Sequence, residues 1–292
     1  MDRRQMTEQM DSDAVGALAG KRVGVAILAN DGIYDWLLPF LDSFRQHNPS
    51  LAVYLIPFDN DMAKTIRAAR EYGVSVVEDD FTEIDRFARR IYPFYRQRYR
   101  RRLRKFYSLS LPLDEVMYID VDTLVYRDLS KLFGRVESGR NDFIIASTSD
   151  EWVYTAKINK YPRLAEAVRF SDGFFITSSQ ILSLGSMIDI VDGQLPMFHD
   201  VRRTHVYTQP VVNFVVHQLD LRISSLTDLL PEASCETFYR AQGIKFTADG
   251  PLDADGRDIY FAHWAGVKDL PAYGVFDRDW QAHSARAIAR LR

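Results

Sequence analysis

A chain of 292 residues is long enough for one large domain or two small ones. Apolar residues make up 47% and charged residues 26%, a globular composition that excludes disorder and fibrous repeats, and no apolar run approaches the ~18–20 residues that cross a bilayer. The single cysteine, Cys235, can close neither an internal disulfide nor a structural zinc site, which points to a reducing, cytoplasmic compartment. The net charge of −3 names no nucleic-acid partner.

Residues 1–20 are polar and carry Glu8, Asp11 and Asp13, unlike a signal peptide, and read as a mobile extension to one domain spanning 21–292. Val23–Ala29 is a continuous apolar run of strand length, the pattern of a parallel strand buried on both faces. Asn30-Asp31-Gly32 ends it, and apolar residues then recur at helical spacing from Asp35 to Gln46. A second strand at Leu51–Phe58, a helix at Met62–Tyr72 closed by Gly73 and a third strand at Val74–Val77 complete three strand–helix alternations. That alternation predicts an open α/β sheet flanked by helices.

Ile84–Leu111 reads as mainly helical despite Pro93. Within Arg89–Lys105, nine of 17 residues are Arg or Lys, interleaved with Tyr92, Phe94, Tyr95 and Tyr99. A basic, aromatic stretch can bind nucleic acid or an anionic membrane surface; the readings left open are a solvated face whose stems pack on the sheet, or a contact with an anionic membrane, acceptor or partner. Further strands are predicted at Val116–Ile119, Phe143–Ser147, Gly173–Thr177 and Ile259–His263, and helices at Ser178–Met187, Gln209–Leu219 and Arg278–Leu291. No repeat or linker marks a domain boundary.

The most informative segment is Met117-Tyr118-Ile119-Asp120-Val121-Asp122. Two carboxylates follow a buried strand and so stand at its carboxyl end, where open α/β sheets place ligands. In extended chain, i and i+2 share a face, so Asp120 and Asp122 can converge on one cation. Two carboxylates leave coordination positions for water and phosphate oxygens, as Mg²⁺ or Mn²⁺ requires. A haloacid-dehalogenase-type phosphatase also carries strand-D-x-D, but with a Thr two residues beyond the second Asp. Here Leu124 holds that position and the motif lies on a middle strand.

Four separated segments resemble the metal-dependent, nucleotide-sugar-using glycosyltransferases of the GT-A fold, and among them the retaining group that includes glycogenin and lipopolysaccharide galactosyltransferases. These are Ala29-Asn30-Asp31-Gly32-Ile33-Tyr34, the stretch Arg104–Leu129 with the carboxylate pair, Phe170-Ser171-Asp172-Gly173-Phe174-Phe175, and His263-Trp264-Ala265-Gly266-Val267-Lys268. Gln209 and Asn213 match part of the family's D-Q-D-x-L-N helix. The resemblance implies a Rossmann-like, mostly parallel sheet in one domain, with a nucleotide-binding half near 21–135 and an acceptor-binding half near 136–292.

It also implies transfer of a hexose from a nucleotide diphosphate sugar, in this family a UDP-sugar, to a saccharide or other hydroxyl acceptor. Asp120, Asp122 and His263 would hold Mn²⁺ or Mg²⁺, imidazole being a suitable third ligand. Ala29, Asn30 and Asp31 would meet the uridine, with Tyr34 offering a ring to stack. Arg104, or Lys105 in an alternative register, would bridge donor hydroxyls and Asp120, and Val121 would line the donor. Gly266 and Lys268 would approach the diphosphate.

The sequence also departs from the family. Thr208 and Pro210 replace both acids around Gln209, Ser171-Asp172 replaces an Asn-Ser or Asn-Ala pair, and the His263–Lys268 spacing is one residue short. Gln209 is the nominated residue beside the anomeric carbon for a retaining reaction, and Asp172 the general base for an inverting one. A sugar-1-phosphate nucleotidyltransferase and a non-catalytic nucleotide-sugar-binding protein are the other classes this pattern leaves. The former expects a Gly-rich basic loop after the first strand, and Ala29–Tyr34 has one Gly and no Lys or Arg.

Overall fold

The computed structural model describes residues 16–18, 20–149, 152–267 and 274–292. Its strands are β1 (Gly16–Leu18), β2 (Lys21–Ala29), β3 (Val53–Pro57), β4 (Ser75–Val76), β5 (Glu115–Ile119), β6 (Thr123–Val125) and β7 (Phe143–Ile145). They continue with β8 (Phe174–Thr177), β9 (Ile223–Ser225), β10 (Ala233–Phe238), β11 (Lys245–Thr247), β12 (Gly250–Leu252) and β13 (Asp258–His263). The main sheet has the order β4-β3-β2-β5-β8-β7-β9, with β1 paired antiparallel to β2. β2, β3, β4 and β5 are mutually parallel, β8 is antiparallel to both β5 and β7, and β9 runs parallel to β7. β7, β8 and β9 thus complete a sheet begun by the first half of the chain, and the Gly16–Leu18 part of the expected extension is paired with it.

Alternate residues of the central strands divide between two apolar layers. Val25, Ile27, Val53, Leu55, Met117 and Ile119 face one layer with helix Tyr34–His47, while Ala26, Tyr54, Ile56, Val116 and Tyr118 face the other with helices Thr82–Ile91 and Gln209–Gln218. A sheet covered on both faces needs no polar alternation, which is why β2 reads as an unbroken apolar run. At Gly24 a Cβ would stand 2.7 Å from the ring of Tyr54, so only Gly fits against that packed tyrosine.

A second sheet, β10-β13-β12-β11 with β6 on the other edge of β13, sits beside the first. Trp36, Trp264, Phe276 and Trp280 fill the junction between it, helix Tyr34–His47 and helix Asp277–Arg290. Buried Asn48, at the end of the first of these helices, accepts Leu129 N–H at 2.7 Å and donates to Phe44 O and Arg127 O. It joins the first helix to the chain leaving β6.

Three expectations change. The region Ile84–Leu111 is not one helix: Thr82–Ile91 ends at Tyr92, whose φ of −134° and ψ of 57° lie outside the α region that a following proline disfavours. After Pro93, a single turn Gln97–Arg100 leads into a 3₁₀ segment, Arg101–Ser110. The helix expected at Ser178–Met187 begins instead at Leu184, because the Ser183 hydroxyl caps the backbone N–H of Ser186 and Ser186 reciprocates. β1, β6, β9, β10, β11 and β12 were not predicted, β1 falling within the extension expected to be mobile. No described helix is long and apolar enough to cross a membrane.

Replacing Asn48 by Ala leaves the buried Leu129 N–H without an acceptor. The expected cost is about 1–3 kcal/mol, seen as a lower urea midpoint at unchanged slope.

Candidate active site

Asp120 and Asp122 leave the carboxyl end of β5 with Val121 buried between them. Two backbone hydrogen bonds hold the segment: Asp120 N–H donates to Gly173 O at 2.8 Å, and Trp264 N–H donates to Asp122 O at 2.9 Å. β6 follows at once and pairs with β13 so that Thr123 stands opposite His263. The imidazole is thereby brought to the carboxylates, and one ligand atom each of Asp120, Asp122 and His263 lies within 4.8 Å of the others. His263 Nε2 is 3.3 Å from Asp122 Oδ1.

Two ligands each about 2.1 Å from a hard divalent ion are at most ~4.2 Å apart, so these groups need close by only a fraction of an ångström to share one. The Asp120 and Asp122 side chains are 31% and 28% exposed and face the opening, whereas that of His263 is 4% exposed. Gly173 closes the other side. A Cβ there would lie 2.5 Å from His263 Cε1 and 3.3 Å from Asp120 Oδ2, so the absence of a side chain is what lets ring and carboxylate meet. The donor set, its geometry and this clearance fit Mn²⁺ or Mg²⁺.

Two further residues support the group. Glu236 on β10 was not singled out in the sequence, yet its Oε1 lies 2.8 Å from His263 Nδ1. That bond fixes the imidazole with Nε2 toward Asp122, the usual way a carboxylate orients a metal-ligating histidine. Glu236 is placed by a β-bulge: Cys235 has a φ of 57° and the β10–β13 register shifts on either side of it. No bulge is legible in Ser234-Cys235-Glu236, so sequence alone carried no signal for it.

The second is Lys105. Its buried ammonium donates to Asp172 O at 2.9 Å and Asp172 Oδ2 at 3.1 Å, and lies 3.4 Å from Asp120 Oδ1. Tyr118 OH donates to Asp120 Oδ1 at 2.7 Å, and the Lys105 ammonium stands 4.6 Å from the Tyr118 ring centroid. Lys105, not Arg104, is therefore the basic partner of the carboxylate pair. Arg104 turns to the neighbouring helix, forming a forked ion pair with Asp85 and donating to Pro57 O. Asp172 meets Lys105, while Arg169 donates to Ala165 O.

The electrostatics follow from burial and proximity. Burial raises the Asp120 carboxyl above the ordinary aspartate value, assisted by Asp122 and Asp172 and opposed by Lys105. For His263, burial disfavours the cation, but Asp122 and Glu236 outweigh it and hold the imidazole well above its usual value. Asp122 is held below the aspartate range because the same histidine outweighs its own burial.

The Ala29–Tyr34 segment, expected to hold the donor, emerges at the same edge as Asp120, since β2 and β5 are parallel neighbours. Ala29 is buried and its carbonyl accepts Phe58 N–H. The Asn30 side chain accepts Gly32 N–H and donates to Asp59 Oδ1. Asp31 accepts the N–H groups of Lys64 and Thr65 and so caps helix Ala63–Glu71. These bonds offset its burial and hold its carboxyl below the usual range. Half-buried Tyr34 packs on the core, with Lys64 6.0 Å from its ring centroid.

Buried Gln209 opens helix Gln209–Gln218, and its Nε2 has no hydrogen-bond partner among the described residues. Asn213 ties that turn to the strand entering the site by donating to Gln209 O and Phe170 O. Gly266 has a φ of 74° and open space where a side chain would stand. Lys268 lies outside the described residues.

No family model matches the sequence, and no curated protein matches it. Solved structures do match. The chain is similar to the bifunctional glycosyltransferase WbbM, with a TM-score of 0.59 and 12% identity over 92% of this chain and 52% of that one. It is similar to the galactosyltransferase LgtC, solved with donor and acceptor sugar analogues, with a TM-score of 0.58 and 13% identity over 90% and 95%. Mouse xyloside xylosyltransferase 1 gives 0.58 and 11% over 85% and 99%. The chain has the GT-A fold. It spans about half the length of WbbM and nearly all of the other two.

Two outcomes test this site. Glu236→Gln removes the acceptor that orients His263 and is expected to weaken Mn²⁺ binding about 10–100-fold by titration calorimetry; unchanged affinity would remove Glu236 from the site. Because the metal-free imidazole holds its proton at neutral pH, binding a cation must release it. Mn²⁺ affinity is then expected to rise about tenfold per pH unit while the pH stays below the raised His263 value, with about one proton released per ion when calorimetry is repeated in buffers of different ionisation enthalpy.

Proposed function

We propose that the protein is a metal-dependent glycosyltransferase that moves a hexose from a UDP-sugar to a hydroxyl acceptor with retention. The observation that carries this reading is the convergence of Asp120, Asp122 and His263 at the carboxyl edge of a GT-A sheet, next to the loop that follows β2. Held by those three residues, Mn²⁺ or Mg²⁺ would offset the charge that builds on the departing diphosphate. The fold likeness to WbbM, LgtC and the xylosyltransferase supports glycosyl transfer as the reaction class.

This chain's own residues supply the rest. The Ala29–Tyr34 loop takes the uridine, with Tyr34 as stacking ring. Gly266 lets backbone N–H groups reach the diphosphate, and Lys268 is assigned to its charge. Val121 lines the donor. Lys105 fixes Asp120 and Asp172 relative to each other.

Asp172 is assigned to sugar hydroxyls rather than to proton abstraction, because its Oδ2 is held 3.1 Å from the buried Lys105 ammonium. The acceptor oxygen then attacks the anomeric carbon on the face the diphosphate leaves, the glycosidic C–O bond breaks, and a diphosphate oxygen takes the acceptor proton. Gln209, a neutral amide, is assigned to the opposite face of the anomeric carbon.

Asp120→Asn and Asp122→Asn are each expected to abolish Mn²⁺-dependent UDP binding and metal-dependent hydrolysis of UDP-sugars, with unchanged circular dichroism. UDP affinity that ignores Mn²⁺ in the wild type, or survives in both variants, would overturn the reading. Mn²⁺-dependent binding of UDP-sugars without any turnover would make the protein a binding module instead.

A further inference from the structure

We propose that the segment Arg89–Arg102 docks the protein onto an anionic lipid surface, with Phe94 entering the headgroup layer. Arg89–Lys105 contains nine basic residues and no acidic one, so the remainder of a chain of net charge −3 carries −12. Four of the nine are neutralised internally: Arg90 by Asp192, Arg101 by Asp59, Arg104 by Asp85 and Lys105 by Asp120 and Asp172. Arg89, Arg96, Arg98, Arg100 and Arg102 form no ion pair among the described residues, and all but the partly buried Arg100 are exposed. Without internal partners, these arginines form a local positive patch on an acidic protein. Here they are left to attract an external anionic surface, as juxtamembrane basic clusters do.

The aromatic residues of the segment divide in the same way. Three are used to hold it rigidly. Tyr92 OH donates to Tyr207 O, Tyr95 OH donates to Thr204 O, and the Tyr99 ring stacks on Tyr207 at 4.8 Å and 9°. Arg202 lies over the Tyr92 and Tyr95 rings beneath. Arg98 and Arg102 gather around the Tyr99–Tyr207 stack.

Phe94 takes no part in this and is 97% exposed, the most open large apolar side chain described. A phenylalanine held out by Pro93 and an anchored turn, ringed by unpaired arginines, has the chemistry of an interfacial anchor. A nucleic-acid duplex would satisfy the arginines but offers Phe94 no unstacked base to meet. The platform reaches Tyr207, two residues before Gln209, so docking here turns one side of the cleft toward the lipid.

Vesicle sedimentation tests this with the full chain. At 0.15 M salt, binding is expected to phosphatidylcholine vesicles containing 30% phosphatidylglycerol, absent with pure phosphatidylcholine and lost toward 0.5 M salt. Phe94→Ser is expected to lower the partition coefficient about tenfold. The triple change of Arg96, Arg98 and Arg102 to Gln should lower it about 100-fold, near fivefold per charge. Both variants should keep wild-type melting curves and Mn²⁺-dependent UDP affinity, so failure here is separable from failure of the proposed activity. No binding to the anionic vesicles, or binding that Phe94→Ser leaves unchanged, overturns the proposal. A short DNA duplex bound as tightly as the vesicles, by wild type and Phe94→Ser alike, makes the arginines a general polyanion site and overturns it too.

Discussion

The site depends on how three residues, Asp120-Val121-Asp122, are held in place. Asp120 N–H is bonded to Gly173 O and Asp122 O to Trp264 N–H. One bond comes from the residue just before β8 of the main sheet and the other from the residue just after β13 of the small sheet. Each anchor also delivers a neighbour: Gly173 brings Asp172 and the clearance for a ring, and Trp264 brings His263. Without β6 turning straight into a pairing with β13, the imidazole would have no reason to lie near β5. The Trp36–Trp264–Trp280 cluster in turn fixes Trp264 from behind, joining the first and last helices to the same point.

Charge explains why such a group suits a divalent ion. Asp120, Asp122, Asp172 and Glu236 surround two cationic groups, Lys105 and protonated His263. With these alone the cluster keeps an excess of two negative charges, and burial makes uncompensated charge costly. The raised Asp120 carboxyl and raised His263 imidazole are two symptoms of that imbalance: the site retains protons where it has no cation. A divalent ion that displaces the proton from His263 lowers that excess from two negative charges to one. Lys105 cannot take that part, because its ammonium is committed to Asp172 and the Tyr118 ring face.

What was legible in the sequence followed burial. β2 and β5 read as strands because both faces are covered, and Asp120 and Asp122 stood out as charges at the end of such a run. His263 was legible through the strand before it. Strands of three residues, β6, β9, β11 and β12, are too short for periodicity to register. Lys105 was only the alternative to Arg104, since Arg101–Ser110 is a 3₁₀ segment and the register that aims a side chain at the sheet differs from that of an α-helix. In that segment Leu103, Arg104, Lys105 and Phe106 are all buried, so burial does not single one out. Glu236 was invisible for a different reason. A left-handed Cys235 makes the bulge that carries it to His263, and nothing in the residue types announces a non-glycine left-handed turn.

The departures from the resembled family concentrate where the helix Gln209–Gln218 begins. Thr208 and Pro210 remove both acids that family members carry around the glutamine, and Pro210 pre-sets the first turn of the helix without needing an N–H acceptor. A carboxylate stands instead at Asp172, in the segment leading into β8 that Asn213 ties to this same turn through Phe170. Asp172 is bound to Lys105 through both its carboxylate and its own carbonyl. That leaves Gln209, whose buried Nε2 lacks a partner among the described residues, as the group beside the cleft with an unspent donor. An amide donor with nothing to bond is costly unless substrate supplies the acceptor, and a sugar hydroxyl or ring oxygen is the acceptor a glycosyltransferase would bring.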